Sequence, residues 1–333
     1  MPGLFDPIKI RGLKLKNRLV MPAMATKMAT EDGEVTDRHL RHYAARAHGG
    51  VGLIILEHTY IAKNGKASPG QLGIDDNKLI PGLRRLVQAI HNEGATVCIQ
   101  ITHSGSRTTR QLIGEQPAGP SNVPVPRDEE IPRPLTIKEL KQKVAAFVEA
   151  ARRAVEAGFD AVEVHGAHGY LLGQFLSPYT NRRQDEYGGD AEGRLRLPLE
   201  AITGVRDIIG EAIPLFYRFG ADDMVEGGLT VKDTRLIAPR LEQAGVDVID
   251  ISGGLGGTGT ARFSEQGFFV PLAQSIKETV KIPVIGVGNI TDAVYADTIV
   301  RQGRVDLVAL GRLLLSNPDY PGQAAKQLGV EIH

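Results

Sequence analysis

Short runs of almost unbroken apolar, often β-branched residues recur along the chain, separated by longer stretches in which apolar residues return every three or four positions. The runs are RLVMPA (18–23), GLIILE (52–57), TVCIQI (96–101), DAVEVH (160–165), PLFYRF (214–219), DVIDIS (247–252), PVIGVG (283–288) and DLVALG (306–311). A strand with one face in water alternates apolar and polar residues, whereas a parallel strand covered on both faces is apolar nearly throughout. The intervening stretches carry helix punctuation. TDRHLRHYAARAHGG places Thr36 as an N-cap and glycines at the end. The stretch from Thr136 opens with a T-x-x-E capping box and stops at Gly158. Stretches beginning at Thr230 and Thr291 follow the same scheme.

Eight such strands alternating with helices predict an α/β fold, a single (β/α)8 TIM barrel, with a doubly wound sheet as the alternative. In a barrel the reactive residues sit on loops at the strand C-termini. Two stretches exceed a minimal barrel: 104–134, rich in Pro, Gly and Ser, and 166–190. They follow the third and fourth strands, so both long loops fall on the face expected to carry the chemistry. No internal repeat or shift of composition marks a boundary, and residues 1–333 read as one domain.

Composition narrows the function. Lys plus Arg equals Asp plus Glu at 39 each, which gives nucleic acid no electrostatic footprint. The apolar runs are strand-sized, too short to span a bilayer. The opening MPGLFDPIKIRG lacks the charged-then-apolar order of a signal peptide, and the one cysteine, Cys98, lies inside an apolar run. A cytoplasmic enzyme acting on a small molecule is the expectation, with a homo-oligomer left open.

The residues just after each strand supply the candidate chemistry. After the first come Pro22, Ala23, Met24 and Ala25, small groups suited to a flat ligand. The third strand carries Gln100, the fifth Arg218. The seventh and eighth end in Gly288–Asn289 and Gly311–Arg312, which fit the phosphate site that such barrels build there. The stretch GLGGTG (254–259) matches G-x-G-x-x-G, but it follows five strands and opens no helix. It reads as a loop over the barrel mouth. EVHGAHGY at the fourth strand sets His165 and His168 three apart with Tyr170 beside them. Two neutral imidazoles on one turn can aim N–H groups at one oxygen, and a tyrosine can protonate a basic carbanion. A third metal ligand is not evident, so no metal is expected. The set polarises a carbonyl and delivers a proton but lacks a hydride source, which a cofactor must supply.

With those residues in view, the chain resembles the Old Yellow Enzyme family of FMN-dependent ene-reductases along nearly its whole length. The matching stretches include LFDPIKIRGLKLKNRLVMPAM, CIQITHSGSR, EVHGAHGYLLGQFLSPYTNRRQDEYGG and GRVDLVALGRLLLSNPDYP. The resemblance implies FMN across the barrel mouth, against Pro22, Ala23, Met24 and Ala25. Gln100 would meet the pyrimidine edge and Arg218 the N1/O2 side. Gly288, Asn289, Gly311 and Arg312 would hold the phosphate. His165 and His168 would bind the carbonyl oxygen of an enone-type substrate, and Tyr170 would protonate its α-carbon. The implied cycle is ping-pong, with NADH or NADPH reducing the flavin before the alkene takes the same site. A flavin-free aldolase or deaminase, and a flavin binder without turnover, are the rival readings.

The chain departs from the pattern at three places. Ala25 stands where relatives place a threonine or cysteine beside the flavin, which implies a lower potential unless Thr26 compensates. Lys27 stands where some relatives have a substrate-contacting tyrosine, so it joins the substrate-binding candidates. The chain ends at AAKQLGVEIH, where longer relatives continue into a cysteine cluster and a second nucleotide-binding domain. Direct reduction of the FMN by the nicotinamide is the expectation that follows.

Overall fold

A computed structural model describes residues 2–256 and 264–331. Eight parallel strands close into a barrel in chain order. They are β1 (Leu19–Met21), β2 (Leu53–Tyr60), β3 (Thr96–Thr102), β4 (Ala161–Gly166), β5 (Leu215–Gly220), β6 (Val248–Ser252), β7 (Val284–Gly286) and β8 (Leu307–Ala309). Each falls within or over one of the eight apolar runs, and the doubly wound alternative drops out. Positions 257–259 of the glycine-rich stretch lie outside the described residues, and so does most of the loop expected there.

The helices begin and end where their punctuation says. The helix Ile137–Ala157 starts at Thr136, whose side chain accepts from Glu139 N while Glu139 accepts from Thr136 N. It ends at Gly158, whose φ of 93° is a left-handed cap that glycine adopts without penalty. Outward-facing strand residues such as Ile54, Ile99, Val162 and Phe219 are buried against this helical shell.

Inside, the barrel is layered. Val20, Leu53, Ile55, Cys98, Phe216, Val248, Ile285 and Leu307 form one closed apolar cluster. Cys98 is fully buried in it, and burial pushes its thiol well above the ordinary range, so it packs as a small hydrophobe. An antiparallel hairpin, Ile8–Ile10 with Leu13–Leu15, adds Ile10 and Leu15 to that cluster and so plugs the N-terminal end. Higher up, the inward positions turn polar: Gln100, Glu163, Arg218 and Asp250 sit on four consecutive strands. The floor is sealed, and among the described residues the polar inward layer lies on the side of the C-terminal mouth.

Among the described residues no helix is long and apolar enough to cross a membrane. The stretch 166–190 is not all loop: it contains the helix Leu171–Leu176. Residues 104–134 contain a short helix, Arg110–Ile113, and a two-residue strand, Ala118–Gly119, paired with Arg133–Pro134.

Leu15 is 0% exposed at the centre of the hairpin plug. Leu15→Ala is expected to cost about 2–5 kcal/mol in urea unfolding, through lost burial and the cavity left behind. A loss below about 1 kcal/mol would mean that the hairpin is not part of the core.

Candidate active site

The fourth strand delivers His165 to the mouth, and the chain then turns sharply. His168 has φ 57°, a left-handed conformation uncommon outside glycine, and Gly169 follows at φ 70°. Three bonds hold this turn: Tyr170 N–H donates to the Ala167 carbonyl at 3.1 Å, His168 N–H to the Gly253 carbonyl at 3.1 Å, and Arg107 Nη1 to the His168 carbonyl at 2.7 Å. The strained backbone is what brings the two imidazoles together edge-on, with centroids 5.0 Å apart and planes at 88°.

Their hydrogen bonds fix the proton positions. Ala167 N–H donates to His165 Nδ1 at 3.1 Å, so the proton of the neutral ring is on Nε2. That Nε2–H faces His168 Nδ1 at 3.3 Å, which makes Nδ1 the acceptor. His168 Nε2–H then donates to Ser252 Oγ at 2.6 Å. Burial, the other imidazole and Arg218 hold His165 well below the ordinary histidine range. Burial and Arg218 hold His168 down at about 3. Both rings are neutral donors. The two rings are linked in a relay that ends on Ser252, a residue not singled out beforehand.

Tyr170 packs edge-on to His165 at 4.9 Å between centroids, and burial pushes its phenol up to about 12. Its other side stacks on His58 at 5.7 Å and 28°. Sequence reasoning missed His58 as well.

Beneath the imidazoles lies a buried polar girdle. Gln100 Nε2 donates to Glu163 Oε1 at 2.7 Å, and Arg218 Nη1 to Asp250 Oδ2 at 2.5 Å. Burial and the adjacent Asp250 push the Glu163 carboxyl well above its usual range, and burial also raises Asp250. Burial and like charge thus favour the protonated form of both carboxyls, against the pull of the one guanidinium beside them. Arg218 Nε is buried without a partner, a donor left for a ligand. Glu163 and Asp250 were not singled out from the sequence. A carboxylate at an inward position, two residues before His165 and before Ser252, was the available signal.

A cavity of 360 Å³ opens beside this girdle. Its walls include Pro22, Ala23 and Met24 from the end of β1, Arg218 and Ser252, and both expected phosphate loops, Gly288–Asn289 and Gly311–Arg312. Arg312 Nη2 donates to Asn289 Oδ1 at 2.9 Å, tying the two loops together. Gly288 has φ 130°, and a Cβ there would lie 2.8 and 2.9 Å from the backbone nitrogens of Phe269 and Phe268. A Cβ on Gly311 would meet Met24 Sδ at 2.9 Å. Ala25 and Lys27 are exposed and outside this wall. Thr26 N–H and Oγ–H both go to the Glu57 carboxylate, at 2.9 and 2.5 Å. Its polar groups are spent on Glu57, so Thr26 does not supply what Ala25 lacks. No group of His, Cys, Asp or Glu suited to a metal occurs among the described residues.

Residues 3–331 match the NADH:flavin oxidoreductase / NADH oxidase family. The chain belongs to that family. It is 47% identical over 338 residues to an NADH oxidase of Thermoanaerobacter brockii, covering 99% of this chain but 52% of that protein, so it spans about half that relative's length. An NADPH dehydrogenase of Geobacillus sp. (strain WCH70) is 44% identical over 99% of this chain and 95% of its own. The old yellow enzyme homologue of Zymomonas mobilis superposes with a TM-score of 0.86 at 28% identity, covering 99% of this chain and 94% of that one.

Membership makes FMN the bound group and NADH or NADPH the reductant, and the residues fit a flavin. Small groups from β1 offer a flat wall, the unpartnered Arg218 Nε offers a donor for a ring that gains negative charge, and the loops after β7 and β8, packed closely by their glycines, line the same cavity where a phosphate would sit. Gly288→Ala adds a Cβ that collides with backbone at a φ alanine avoids. Flavin retained after desalting, read by released fluorescence, is expected to fall at least about tenfold. Retention equal to wild type would place the phosphate elsewhere.

Proposed function

We propose that the chain uses NADH or NADPH to reduce the activated C=C bond of α,β-unsaturated carbonyl compounds. The observation that carries this reading is the neutral His165–His168 pair with Tyr170 packed against it, at the mouth where Arg218 and the phosphate loops line one cavity. FMN, when bound there, supplies the two electrons as a hydride equivalent.

The protein's part is electrostatic and positional. His165 Nε2–H offers the first bond to the substrate's carbonyl oxygen. Ser252 both donates and accepts, so a bound oxygen can draw His168 into its Nδ1–H form while Ser252 reverses to donate to Nε2. Both imidazoles then face the oxygen on which negative charge accumulates, and they hold it more tightly as the reaction proceeds. Because both are neutral, they stabilise the enolate without first protonating the carbonyl. Tyr170, kept protonated by burial, gives its hydrogen to the α-carbon as the β-carbon receives the hydride equivalent. The product is the saturated carbonyl compound, and solvent restores the Tyr170 proton. Lys27, exposed at the edge, belongs in this reading to the outer substrate region.

His165→Ala with His168→Ala is expected to abolish the charge-transfer band formed with p-hydroxybenzaldehyde while FMN stays bound. Loss of flavin instead would put the pair in the wrong place. Tyr170→Phe is expected to slow the alkene half-reaction by about 10²–10⁴-fold and NAD(P)H oxidation by far less, in single-turnover stopped flow. Equal slowing of both halves would remove Tyr170 as proton donor.

A further inference from the structure

At the end of β2, the register with β3 slips. Leu56 pairs with Ile99 but Thr59 with Ile101, so one extra residue is accommodated between them. Bulges of this kind re-aim side chains beside active sites. Here the slip separates two neighbours. Glu57 is drawn toward Thr26 and Tyr43, while His58 lies against Tyr170.

The proton on His58 can be located. Gln71 Oε1 accepts from Ala67 N–H at 2.7 Å, which fixes the orientation of the amide. Gln71 Nε2 then donates both to the His58 carbonyl at 3.1 Å and to His58 Nδ1 at 3.0 Å. Nδ1 is an acceptor, so the hydrogen is on Nε2. Burial holds the ring down at about 4, so it is neutral. Nε2–H has no hydrogen-bond partner among the described residues, although only 9% of His58 is exposed. It is not fully sealed either, since it is absent from the buried atoms that lack partners. The N–H of a side chain nine-tenths buried, held in one tautomer and not sealed in, is a donor without an acceptor among the described residues.

We infer that His58 Nε2–H binds a second, uncharged acceptor on the substrate, so that the site favours alkenes flanked by two carbonyl groups. This deepens, and rests on, the reading of the histidine pair as the seat of the first carbonyl. Tyr170 has His165 on one side and His58 on the other. A 1,4-dicarbonyl alkene would meet a donor at each end with the proton donor between them. Either alkene carbon is α to one carbonyl and β to the other. One takes the hydride equivalent and the other the Tyr170 proton, giving the saturated dicarbonyl. Because His58 is neutral, the second acceptor is a ketone, imide or ester oxygen rather than a carboxylate that would call for a cation.

The test uses the FMN-loaded protein with His58→Phe, which keeps a ring against Tyr170 but removes the N–H, and His58→Gln, which restores a donor. N-ethylmaleimide and 2-cyclohexen-1-one serve as two-carbonyl and one-carbonyl substrates. In His58→Phe, kcat/KM for the maleimide is expected to fall about 5- to 30-fold, as for one lost hydrogen bond, and for cyclohexenone less than about twofold. His58→Gln should recover part of the difference. An equal fall for both substrates would reduce His58 to a support for Tyr170, and no fall for either would also overturn the proposal. Binding of N-ethylsuccinimide against cyclohexanone, read from the flavin spectrum, gives the same comparison without turnover. If wild type reduces neither alkene, the alkene-reduction reading fails, and the preference for succinimide, lost in His58→Phe, still decides the role of His58.

Discussion

A guanidinium inside a barrel has to be balanced, and Arg218 is balanced by the strand beside it. Its Nη1 lies 2.5 Å from Asp250, and Glu163 sits within the same girdle, held by Gln100. Removing these charges from water costs several kcal/mol per ion, and a buried pair recovers that only with good geometry and satisfied neighbours. Here two carboxyls share one guanidinium, and burial with like charge pushes the Glu163 carboxyl well above its usual range. The arrangement leaves the guanidinium's Nε uncommitted and points the polar layer toward the mouth. The apolar cluster beneath, with its hairpin plug, keeps water from reaching the girdle from below. The histidines are placed directly above this layer, His165 two positions along β4 from Glu163.

The second structural task is to hold the long connections over that layer. Gln174, fully buried, donates to the Ser104 and Gly169 carbonyls and accepts from Ser106 N–H, so it ties the stretch after β3 to the stretch after β4. Asn181 donates to Phe175 and Tyr187 carbonyls, and Arg183 reaches Pro120 and Leu135 carbonyls. The block NRRQDEYGG is thus a brace. Its side chains satisfy backbone carbonyls of neighbouring segments that would otherwise lack partners. That brace and the bond from Arg107 allow His168 to stay in a left-handed conformation.

Much of this was legible beforehand because it is local. Strand runs, the Thr136 capping box, the Gly158 stop and the grouping of His165, His168 and Tyr170 depend on neighbours a few residues apart. That the loops at Gly288–Asn289 and Gly311–Arg312 meet was legible because barrel closure puts the ends of β7 and β8 side by side. Ser252 and Asp250 were not, since DVIDIS reads as an ordinary buried strand until its register sets Asp250 beside Arg218 and places Ser252 one step nearer the mouth. His58 was hidden by the slip between β2 and β3, which no periodicity in LEHTY announces. Thr26 looked free in the sequence and is committed to Glu57, a partner 31 positions away.

Burial also decides what kind of chemistry the mouth can perform. His58, His165 and His168 are all pushed below the range in which imidazole carries charge near neutrality, and Tyr170 is pushed above its own. The effect is to offer hydrogens rather than charges. A charged imidazolium would bind an anion well, but it would also bind the uncharged ground state's water and counterions, and it would repel Arg218. Neutral donors in a dry setting discriminate by how much negative charge the oxygen acquires, which differs most between substrate and transition state. In the proposed reading, the same desolvation that costs stability in the girdle sets the selectivity of the donors above it. An oxygen that stays neutral throughout gains little from them, and one that becomes an enolate gains a great deal.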